Sequence, residues 1–357
     1  MSNKMNIRFA ATNQYIEKNI ISPTESIVSG KLVQWGDKNL YPDYLISLYR
    51  SVATLRSVIA GAVDYVCGNG VQSTVLTNKR INGAGDTKED LLEMLARDYF
   101  TFGGFAIEVI RNREGGIAEV SALPMQNIRT DKDNEVFFYS EKWAKSNKGY
   151  EVLPKFVPGN KNVARSVYFY KNATNSAYPE PIYAASVKAC EIERNIDAYH
   201  LNAISNGFAG STIVNFNNGK PEDDIMDQVE RAFNDKFSGS ENAGRIAFCW
   251  NENKDSATTI EKLEVDDFGE RYNSLSKHSR QQIFTAFRAN PNLFGIPTDS
   301  LGFSSEEYES AFKLFNRTII RPAQARICNA LDEIYGVEGA LTITPFSLDS
   351  ETEKTVQ

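Results

Sequence analysis

The sequence has few cysteines and histidines and no long apolar run. Its 357 residues include four cysteines and two histidines. The cysteines lie far apart without a C-x-x-C pair, which argues against a disulfide framework or a metal site and is typical of a reducing cytosol. No run approaches the roughly 18 to 20 apolar residues of a membrane span, and the N-terminus lacks the pattern of a secretory signal. We therefore expect a soluble protein without membrane contact.

The chain also offers little material for catalysis. His200 and His278 each lie on a predicted helix without a neighbouring acid or cysteine in a recognisable spacing. Neither a P-loop nor a G-x-G-x-x-G pattern occurs, so no nucleotide cofactor is predicted. Ser274 and Lys277 match the S-x-x-K motif, but its companion S-D-N and K-T-G elements are absent. A cytosolic serine hydrolase using this pair is a minor alternative to a protein that is not an enzyme.

Charge is unevenly distributed along the chain. The net charge is -7, from 39 Lys and Arg against 46 Asp and Glu, which argues against tight coating of nucleic acid through counterion release. Residues 215–270 contain 14 Asp and Glu against 6 Lys and Arg, so this segment alone has a net charge of -8. The acids are scattered and do not match the D-x-D-x-D-G calcium loop.

Apolar periodicity in the first half predicts an α+β fold. One long helix is expected from Asn39, as its cap, to Gly68, and a second between Thr87 and Gly103. Five strands follow, at 105–111, 117–123, 127–130, 135–139 and 163–170. Helices followed by a run of strands favour a sheet covered on one face over a doubly wound array. Residues 1–36 contain no long period.

The second half alternates long helices with short strands. Helices are predicted at 182–205 and 267–289, and strands at 211–216 and 245–250, with a short helix opened by Pro221. An unusual loop then covers Asn290 to Ser305, with two prolines, two glycines and several apolar side chains. The last helix begins at Ser305, and Pro322 in its interior predicts a kink near Arg321.

A series of short motifs follows a fixed order along the second half of the chain. They are Glu180-Pro181-Ile182, residues 206–210 (NGFAG), 242–245 (NAGR), 280–288 (RQQIFTAFR) and 290–295 (NPNLFG), and a helix with a central proline from Arg317 to Asn329. No single motif is diagnostic, but their order and spacing together resemble the HK97-like, siphovirus-type portal proteins of tailed phages. The resemblance extends more loosely over residues 37–170, through 68–71 (GNGV) and 101–106 (TFGGFA). Departures from the family pattern are the NPN run and a nearly absent C-terminal region.

The resemblance implies a ring of twelve subunits at one capsid vertex, with double-stranded DNA passing through its centre. The implied parts are a wing (1–178), a stem helix (179–206), a clip (207–266), a second stem helix (267–289), a tunnel loop (290–305), a kinked wing helix (306–336) and a rudimentary crown or tail (337–357). Implied partners are other copies of the chain, the terminase large subunit, a head-to-tail adaptor and the major capsid protein or scaffold. The protein would assemble in the host bacterial cytoplasm and end in the virion, without a cofactor.

The same resemblance implies roles for particular residues. The tunnel loop would present Asn292, Leu293, Phe294, Thr298, Asp299, Ser300, Leu301 and Phe303 to DNA. The clip would dock partners through Asp223, Asp224, Asp227, Glu230, Asp235 and Arg245, and the stem would use Arg280 and Arg288.

A packaging channel must let a polyanion slide, so weak grip is expected, because affinity grows with each phosphate that is neutralised. Residues 271–326 have a net charge of +4, from 8 Lys and Arg against 4 Asp and Glu. These cations either pair with the acidic segment of a neighbouring subunit or form a basic belt that steadies DNA. Another oligomeric capsid or tail protein remains an alternative to the portal.

Overall fold

The computed structural model describes residues 7–8, 20–28, 31–143, 145, 149–205, 212–216, 221–222, 224–228, 246–250, 268–296 and 305–346. Its α-helices are α1 (Tyr41–Ser51), α2 (Ala53–Cys67), α3 (Lys88–Phe102), α4 (Val187–Ser205), α5 (Phe268–Phe287), α6 (Ser305–Phe315) and α7 (Arg321–Tyr335). Its strands are β1 (Ile7–Arg8), β2 (Glu25–Val28), β3 (Leu32–Trp35), β4 (Val71–Gln72), β5 (Gly104–Arg111), β6 (Ile117–Ala122), β7 (Ile128–Thr130), β8 (Val136–Tyr139), β9 (Glu151–Pro154), β10 (Arg165–Lys171), β11 (Thr212–Phe216), β12 (Ile246–Trp250) and β13 (Thr342–Ile343). The prediction of mixed α and β structure is confirmed.

The chain divides into two compact units, and both are discontinuous in sequence. Unit 1 comprises Met1–Asn19 and Ile192–His278, and unit 2 comprises Ile20–Glu191 and Ser279–Gln357. In unit 1 a three-stranded sheet has the order β1-β12-β11, with β1 antiparallel and β11 parallel to β12. The pairing of β1 with β12 groups the first residues with 192–278, whereas the sequence-based division placed them with the wing.

Two antiparallel sheets organise unit 2. One has the strand order β10-β5-β6, and the other β2-β3-β7-β8-β9. Helices α3 and α7 pack against the first sheet, and α2 packs against α3. The buried face of β5 includes Phe105, Ile107 and Val109, which alternate in the way a strand packed on helices requires. The sequence did not reveal β2, β3 or β9, which are short.

Helix α3 begins and ends where its sequence signals predict. The Thr87 hydroxyl accepts the Asp90 N–H at 3.1 Å, and the Asp90 carboxylate accepts the Thr87 N–H at 2.9 Å. This reciprocal pair is a capping box, which satisfies backbone donors at the start of a helix. Gly103 ends the helix at φ 86°, in the left-handed region that glycine adopts without steric cost.

The long helix predicted from Asn39 to Gly68 is wrong in two respects. It is interrupted at Val52, which has extended backbone angles (φ -103°, ψ 107°), so α1 and α2 are separate helices. Ser51 donates its hydroxyl to the Ser47 carbonyl at 2.8 Å, and such side-chain bonds compete with the helical pattern. Asn39 is not the cap either, since the residue preceding α1 is Leu40.

Asn39 instead holds the buried Arg129. Nη2 of Arg129 donates to the Asn39 carbonyl at 2.8 Å, and Nε donates to the Asn39 side-chain oxygen. Nη1 donates to the carbonyls of Gln126 at 2.8 Å and Ile128 at 2.7 Å. The guanidinium also lies over the Trp143 ring, 5.1 Å from its centroid. Burial lowers the pKa of Arg129 to about 10, which leaves it charged at neutral pH.

The last helical segment contains the interruption that Pro322 predicts. A π-helical turn, Asn316–Ile320, joins α6 to α7 immediately before Arg321. Proline cannot donate to the preceding turn and its ring clashes with the carbonyl four residues earlier, so a wider turn relieves the clash. The Thr318 hydroxyl donates to the Leu314 carbonyl at 2.8 Å and helps to satisfy this turn.

The C-terminal segment returns to the end of α2. Strand β13 pairs with β4, and Thr344 exchanges backbone hydrogen bonds at 2.9 Å with Asn69 and Gly70. Gly68 has φ 60°, and a Cβ there would lie 2.2 Å from the Thr344 carbonyl oxygen. Glycine is therefore required at position 68 both for its backbone angle and for this close approach.

Candidate channel and docking residues

The first part of the predicted tunnel loop is a short, well-bonded turn. Asn290 accepts the Asn292 N–H through its side chain at 3.0 Å and begins a 3-10 helix, Pro291–Phe294. Gly295 ends this turn at φ 71° and donates to the Asn292 carbonyl at 3.4 Å. Ile296 donates to the Pro291 carbonyl at 3.3 Å. Residues 290–296 thus close on themselves.

This turn is anchored in the core by Leu293 and Phe294. Leu293 is 7% exposed, and its carbonyl accepts the Tyr65 hydroxyl at 3.0 Å. Phe294 packs against Phe284 of α5, with ring centroids 5.9 Å apart. It also covers Gly61 of α2, where a Cβ would lie 2.7 Å from the Phe294 ring. The apolar side chains of this stretch therefore pack inward.

The Phe294 ring belongs to an aromatic cluster centred on Tyr65. Four other aromatic rings have centroids 5.1 to 6.2 Å from that of Tyr65: Phe294 in the turn, Phe312 and Phe315 on α6, and Phe346 after β13. Edge-on contacts predominate, and such pairs add to stability beyond the burial of apolar area. We call these five residues the Tyr65 cluster.

These positions differ from the sequence-based expectation for the loop. Leu293 and Phe294 were expected to project toward DNA, yet Leu293 is buried and Phe294 is half-buried against the core, because an apolar run in a loop is stabilised by burial. The Asn292 side-chain nitrogen is buried and finds no hydrogen-bond partner among the described residues. The other expected loop residues, Thr298, Asp299, Ser300, Leu301 and Phe303, lie outside the described residues.

Both stem arginines are exposed. Arg280 lies on α5, and Arg288 lies just after it. Arg288 has φ 53°, a left-handed angle that costs a non-glycine residue about 1 kcal/mol or more. The backbone bond from the Ala289 N–H to the Phe284 carbonyl, at 3.0 Å, closes the helix end around it. The described residues supply no hydrogen bond or ion pair to either guanidinium.

The two predicted stem helices contact each other within each unit. In unit 2, Tyr183 precedes α4 and stacks on Phe287 of α5, with centroids 5.5 Å apart. Ser186 donates its hydroxyl to the Gln282 carbonyl at 2.9 Å. In unit 1, Tyr199 of α4 stacks on Tyr272 of α5 at 4.8 Å.

The predicted clip residues are described only in part. Asp224 is exposed and Asp227 is partly exposed, in a helical turn over residues 224–228. Asp223, Glu230, Asp235 and Arg245 lie outside the described residues. Because only two of the six expected docking residues are described, the docking surface remains a prediction.

Ser274 and Lys277 lie at exposed positions of α5, and His200 and His278 lie at exposed positions of α4 and α5. His200 lies edge-on to Tyr272, with centroids 5.6 Å apart. Within the described residues there is no cluster of three or more side chains suited to a metal ion. None of the described helices combines the length and apolarity that crossing a membrane requires.

One carboxyl group of unit 2 has a strongly shifted pKa. Asp98 of α3 keeps part of its surface exposed, yet burial raises its pKa to about 7. The Met125 N–H, which donates to it at 2.9 Å, and the Arg97 charge both act in the opposite direction. A raised carboxyl pKa makes stability depend on pH.

Sequence reasoning missed the residues that anchor the loop. Tyr65 and Gly61 lie on the predicted first helix, where Tyr65 reads as an ordinary aromatic residue. An isolated glycine inside a helical pattern does signal a close approach by another part of the chain. Phe346 lies in a stretch of the sequence that gave no pattern.

Comparison with known proteins gives one family and several similar structures. The family described as phage portal protein matches residues 76–346. No curated protein matches the chain. A chain in the neck of the native gene transfer agent particle, computed with C12 symmetry, is 17% identical with a TM-score of 0.55, covering 86% of this chain and 84% of that one.

Two further solved structures are similar. A chain in the neck of the empty gene transfer agent particle, computed with C6 symmetry, is 16% identical with a TM-score of 0.52, and the match covers 86% of this chain and 85% of that one. An HK97 family phage portal protein from Corynebacterium diphtheriae is 11% identical with a TM-score of 0.47, covering 84% and 92%.

Proposed function

Because the chain belongs to the phage portal protein family, we propose that twelve copies form a ring around the channel through which double-stranded DNA is packaged and ejected. The family match over residues 76–346 carries this proposal. A channel for DNA is the role typical of portal proteins. The likeness in fold to a chain in a particle neck computed with C12 symmetry supports the ring of twelve.

The stem, clip and loop assignments follow from this function. Residues 179–206 and 267–289 form the stem, and residues 207–266 between them form the clip. We assign residues 20–178 and 306–346 to the wing, because β13 pairs with β4 within unit 2 whereas β1 pairs with β12 in unit 1. The contacts Tyr183–Phe287 and Tyr199–Tyr272 support the pairing of the two stem helices.

Because Leu293 and Phe294 pack inward, we remove them from the loop residues expected to contact DNA. Both side chains serve as anchors, so contact with DNA falls to the remaining loop residues, Asn292, Thr298, Asp299, Ser300, Leu301 and Phe303. None of these six is a cation. A channel surface without cations holds DNA weakly, because few phosphates are neutralised and few counterions are released.

Neighbouring subunits in a ring meet through two different surfaces, a heterologous contact that closes on itself. Arg280 and Arg288 are exposed, and the segment 215–270 has a net charge of -8. We assign the two arginines of one subunit and the acidic segment of its neighbour to the two sides of the same contact. The alternative is that the two arginines form a basic belt around DNA.

Charge reversal separates these two roles. If Arg280→Glu or Arg288→Glu breaks a contact between subunits, fewer rings form, and reversal of Asp224 or Asp227 to Lys on the other side restores some of them. If the arginines form a belt, rings form normally while the amount of packaged DNA changes. Exposed Arg113→Glu serves as a control for the general effect of a charge change.

Electron microscopy of the purified chain, with classification of single particles, tests the ring directly. Rings of about twelve subunits with a central channel are expected. Monomers at high concentration, both alone and with capsid or scaffold protein, would contradict the proposal. Another oligomeric capsid or tail protein would instead form assemblies without a channel flanked by two stem helices.

The proposed partners and location follow from the role at the capsid vertex. The clip, including Asp223, Asp224, Asp227, Glu230, Asp235 and Arg245, docks the terminase large subunit during packaging and the head-to-tail adaptor afterwards. The ring contacts the major capsid protein or scaffold and becomes part of the virion after assembly in the bacterial cytoplasm. Portal proteins are structural, so Ser274 and Lys277 need no catalytic role.

A further inference from the structure

Tyr65 contacts both of the described segments that flank residues 297–304. On one side, its hydroxyl donates to the Leu293 carbonyl at 3.0 Å, and its ring lies edge-on to Phe294. On the other side, its ring packs against Phe312 at 5.5 Å and Phe315 at 6.1 Å, both on α6. One side chain of α2 thus holds the segment that enters the loop and the helix that follows it.

Phe294 and Phe315 also contact each other directly. Their ring centroids are 5.7 Å apart and their planes are nearly perpendicular, at 87°. The two flanking segments therefore meet on top of Tyr65 as well as binding to it separately. Displacement of one segment removes a contact from the other.

The C-terminal segment contributes the remaining member of the Tyr65 cluster. Phe346 lies edge-on to Tyr65, with centroids 5.1 Å apart, and 5.7 Å from Phe312. It is held there by β13 and by the backbone bonds of Thr344. Phe346 is therefore placed by a part of the chain that is separate from the loop.

We propose that Tyr65 positions the two segments flanking residues 297–304, and that the C-terminal segment, through Phe346, determines how firmly it holds them. Phe346 restricts the Tyr65 ring, and the ring in turn restricts Phe294 and Phe312. Withdrawal of Phe346 leaves the ring free to change rotamer, so both segments open more often. Burial keeps the pKa of Tyr65 well above its usual value, so its hydroxyl remains a donor to Leu293.

The consequence for a DNA channel rests on the proposed function, whereas the coupling itself does not. In a portal ring, a change at the C-terminal end of each subunit would alter how the loop is held against passing DNA. The coupling is measurable on the purified chain without DNA.

Amide hydrogen exchange measured by mass spectrometry tests this coupling. Phe346→Ala is expected to speed exchange about tenfold, equivalent to about 1.4 kcal/mol, in peptides covering both 290–296 and 305–315. Exchange in the sheet peptides over 104–122 should stay unchanged. Leu314→Ala is the matched control, because Leu314 lies on α6 but is 63% exposed.

Two Tyr65 variants distinguish positioning from ordinary packing. Tyr65→Phe keeps the ring and removes the hydroxyl, which bonds both the Leu293 carbonyl and the side chain of Tyr308 on α6. Exchange should therefore rise over both 290–296 and 305–315, but less than in Tyr65→Ala, because the packed ring is kept. In a Tyr65→Ala background, adding Phe346→Ala should change exchange over 290–296 by less than about twofold, because the connecting ring is already gone. Exchange over 305–315 does not test this point, because Phe346 also contacts Phe312 directly. Phe346→Tyr should restore the slow exchange of the wild type.

Two results would overturn the proposal. One is faster exchange confined to 340–346 in Phe346→Ala. The other is the same increase in exchange over 290–296 from Phe346→Ala with and without Tyr65. If Phe346→Ala speeds exchange throughout the chain, Phe346→Leu is judged by the same two criteria. If the chain forms rings but exchange shows no coupling, the proposed function stands and the role of Tyr65 is overturned. If exchange shows the coupling but no rings form, the proposed function is contradicted and the positioning role of Tyr65 stands.

Discussion

The guanidinium of Arg129 binds Asn39 twice, through the side-chain oxygen and through the backbone carbonyl. Asn39 presents both oxygens because it has φ 65°, a left-handed angle that asparagine tolerates better than most residues. The Trp35 N–H donates to the same side-chain oxygen at 3.0 Å. The turn before α1 is thus fastened to strand β7, and the fastening depends on one buried charge.

Replacing Arg129 with methionine should destabilise unit 2 by about 3 kcal/mol, since the buried carbonyls of Asn39, Gln126 and Ile128 each lose a donor. Urea unfolding followed by tryptophan fluorescence measures the change in free energy. Arg113→Met, at an exposed arginine, should change it by less than about 0.5 kcal/mol. Equal effects of the two variants would show that the buried network adds nothing to stability.

Asp98 should make the free energy of unfolding fall as the pH rises from 5 to 8. Its pKa of about 7 in the folded chain exceeds the usual carboxyl value, so the folded state keeps a proton that the unfolded state has lost. The stabilisation is complete below the unfolded pKa near 4 and is lost as the pH passes 7.

Asp98→Asn should remove this pH dependence, because asparagine does not titrate and its oxygen can still accept the Met125 N–H. Between pH 5 and 8, the free energy of unfolding should fall by about 2 kcal/mol more in the wild type than in Asp98→Asn. Urea titrations at several pH values measure it. Asp133→Asn, at an exposed carboxyl, should retain the wild-type slope; a loss of slope there as well would remove the assignment to Asp98.

Phe294→Ala should cost about 3 kcal/mol of stability, because a ring packed against Phe284, Phe315 and Gly61 is deleted. Thermal unfolding measures the loss. Leu314→Ala, at a largely exposed position, should shift the midpoint far less. If Phe294→Ala had the wild-type midpoint, Phe294 would not be an anchor, and a role facing DNA would regain support.

Arg288→Gly should raise the free energy of unfolding by about 1 kcal/mol, because glycine adopts the left-handed angle at the end of α5 without strain. Arg280→Gly should have the opposite sign and lower it by about 1 kcal/mol, since glycine is unfavourable inside a helix. Urea unfolding of the two variants compares them directly. Destabilisation by both would mean that the Arg288 side chain contributes more than its backbone angle costs.

Much of the fold follows from local signals in the sequence. Thr87 with Asp90, and Gly103 after them, place helix α3 to the residue, because capping chemistry acts over a few positions. Pro322 likewise places the interruption of the last helix, although not its π-helical form. These features depend only on neighbouring residues.

The sequence did not reveal features that depend on distant contacts. Nothing near Val52 resembles a helix breaker, and Asn39 reads as a cap until its bonds to Arg129, 90 positions later, are known. Phe294 reads as an exposed loop residue, because its partners Gly61 and Phe315 come from other helices. Contacts between subunits of the proposed ring involve other copies of the chain, so local sequence patterns do not predict them.

The pairing of β13 with β4 joins residues about 270 positions apart, so this pair of strands cannot form before residue 343 has been synthesised. Unit 1 is similar, because β1 has no partner until β12 follows. Such non-local pairings are slow to form, since the closure of long loops must precede them. During synthesis, Gly68 and Tyr65 cannot make their contacts with Thr344 and Phe346 until those residues have been added to the chain.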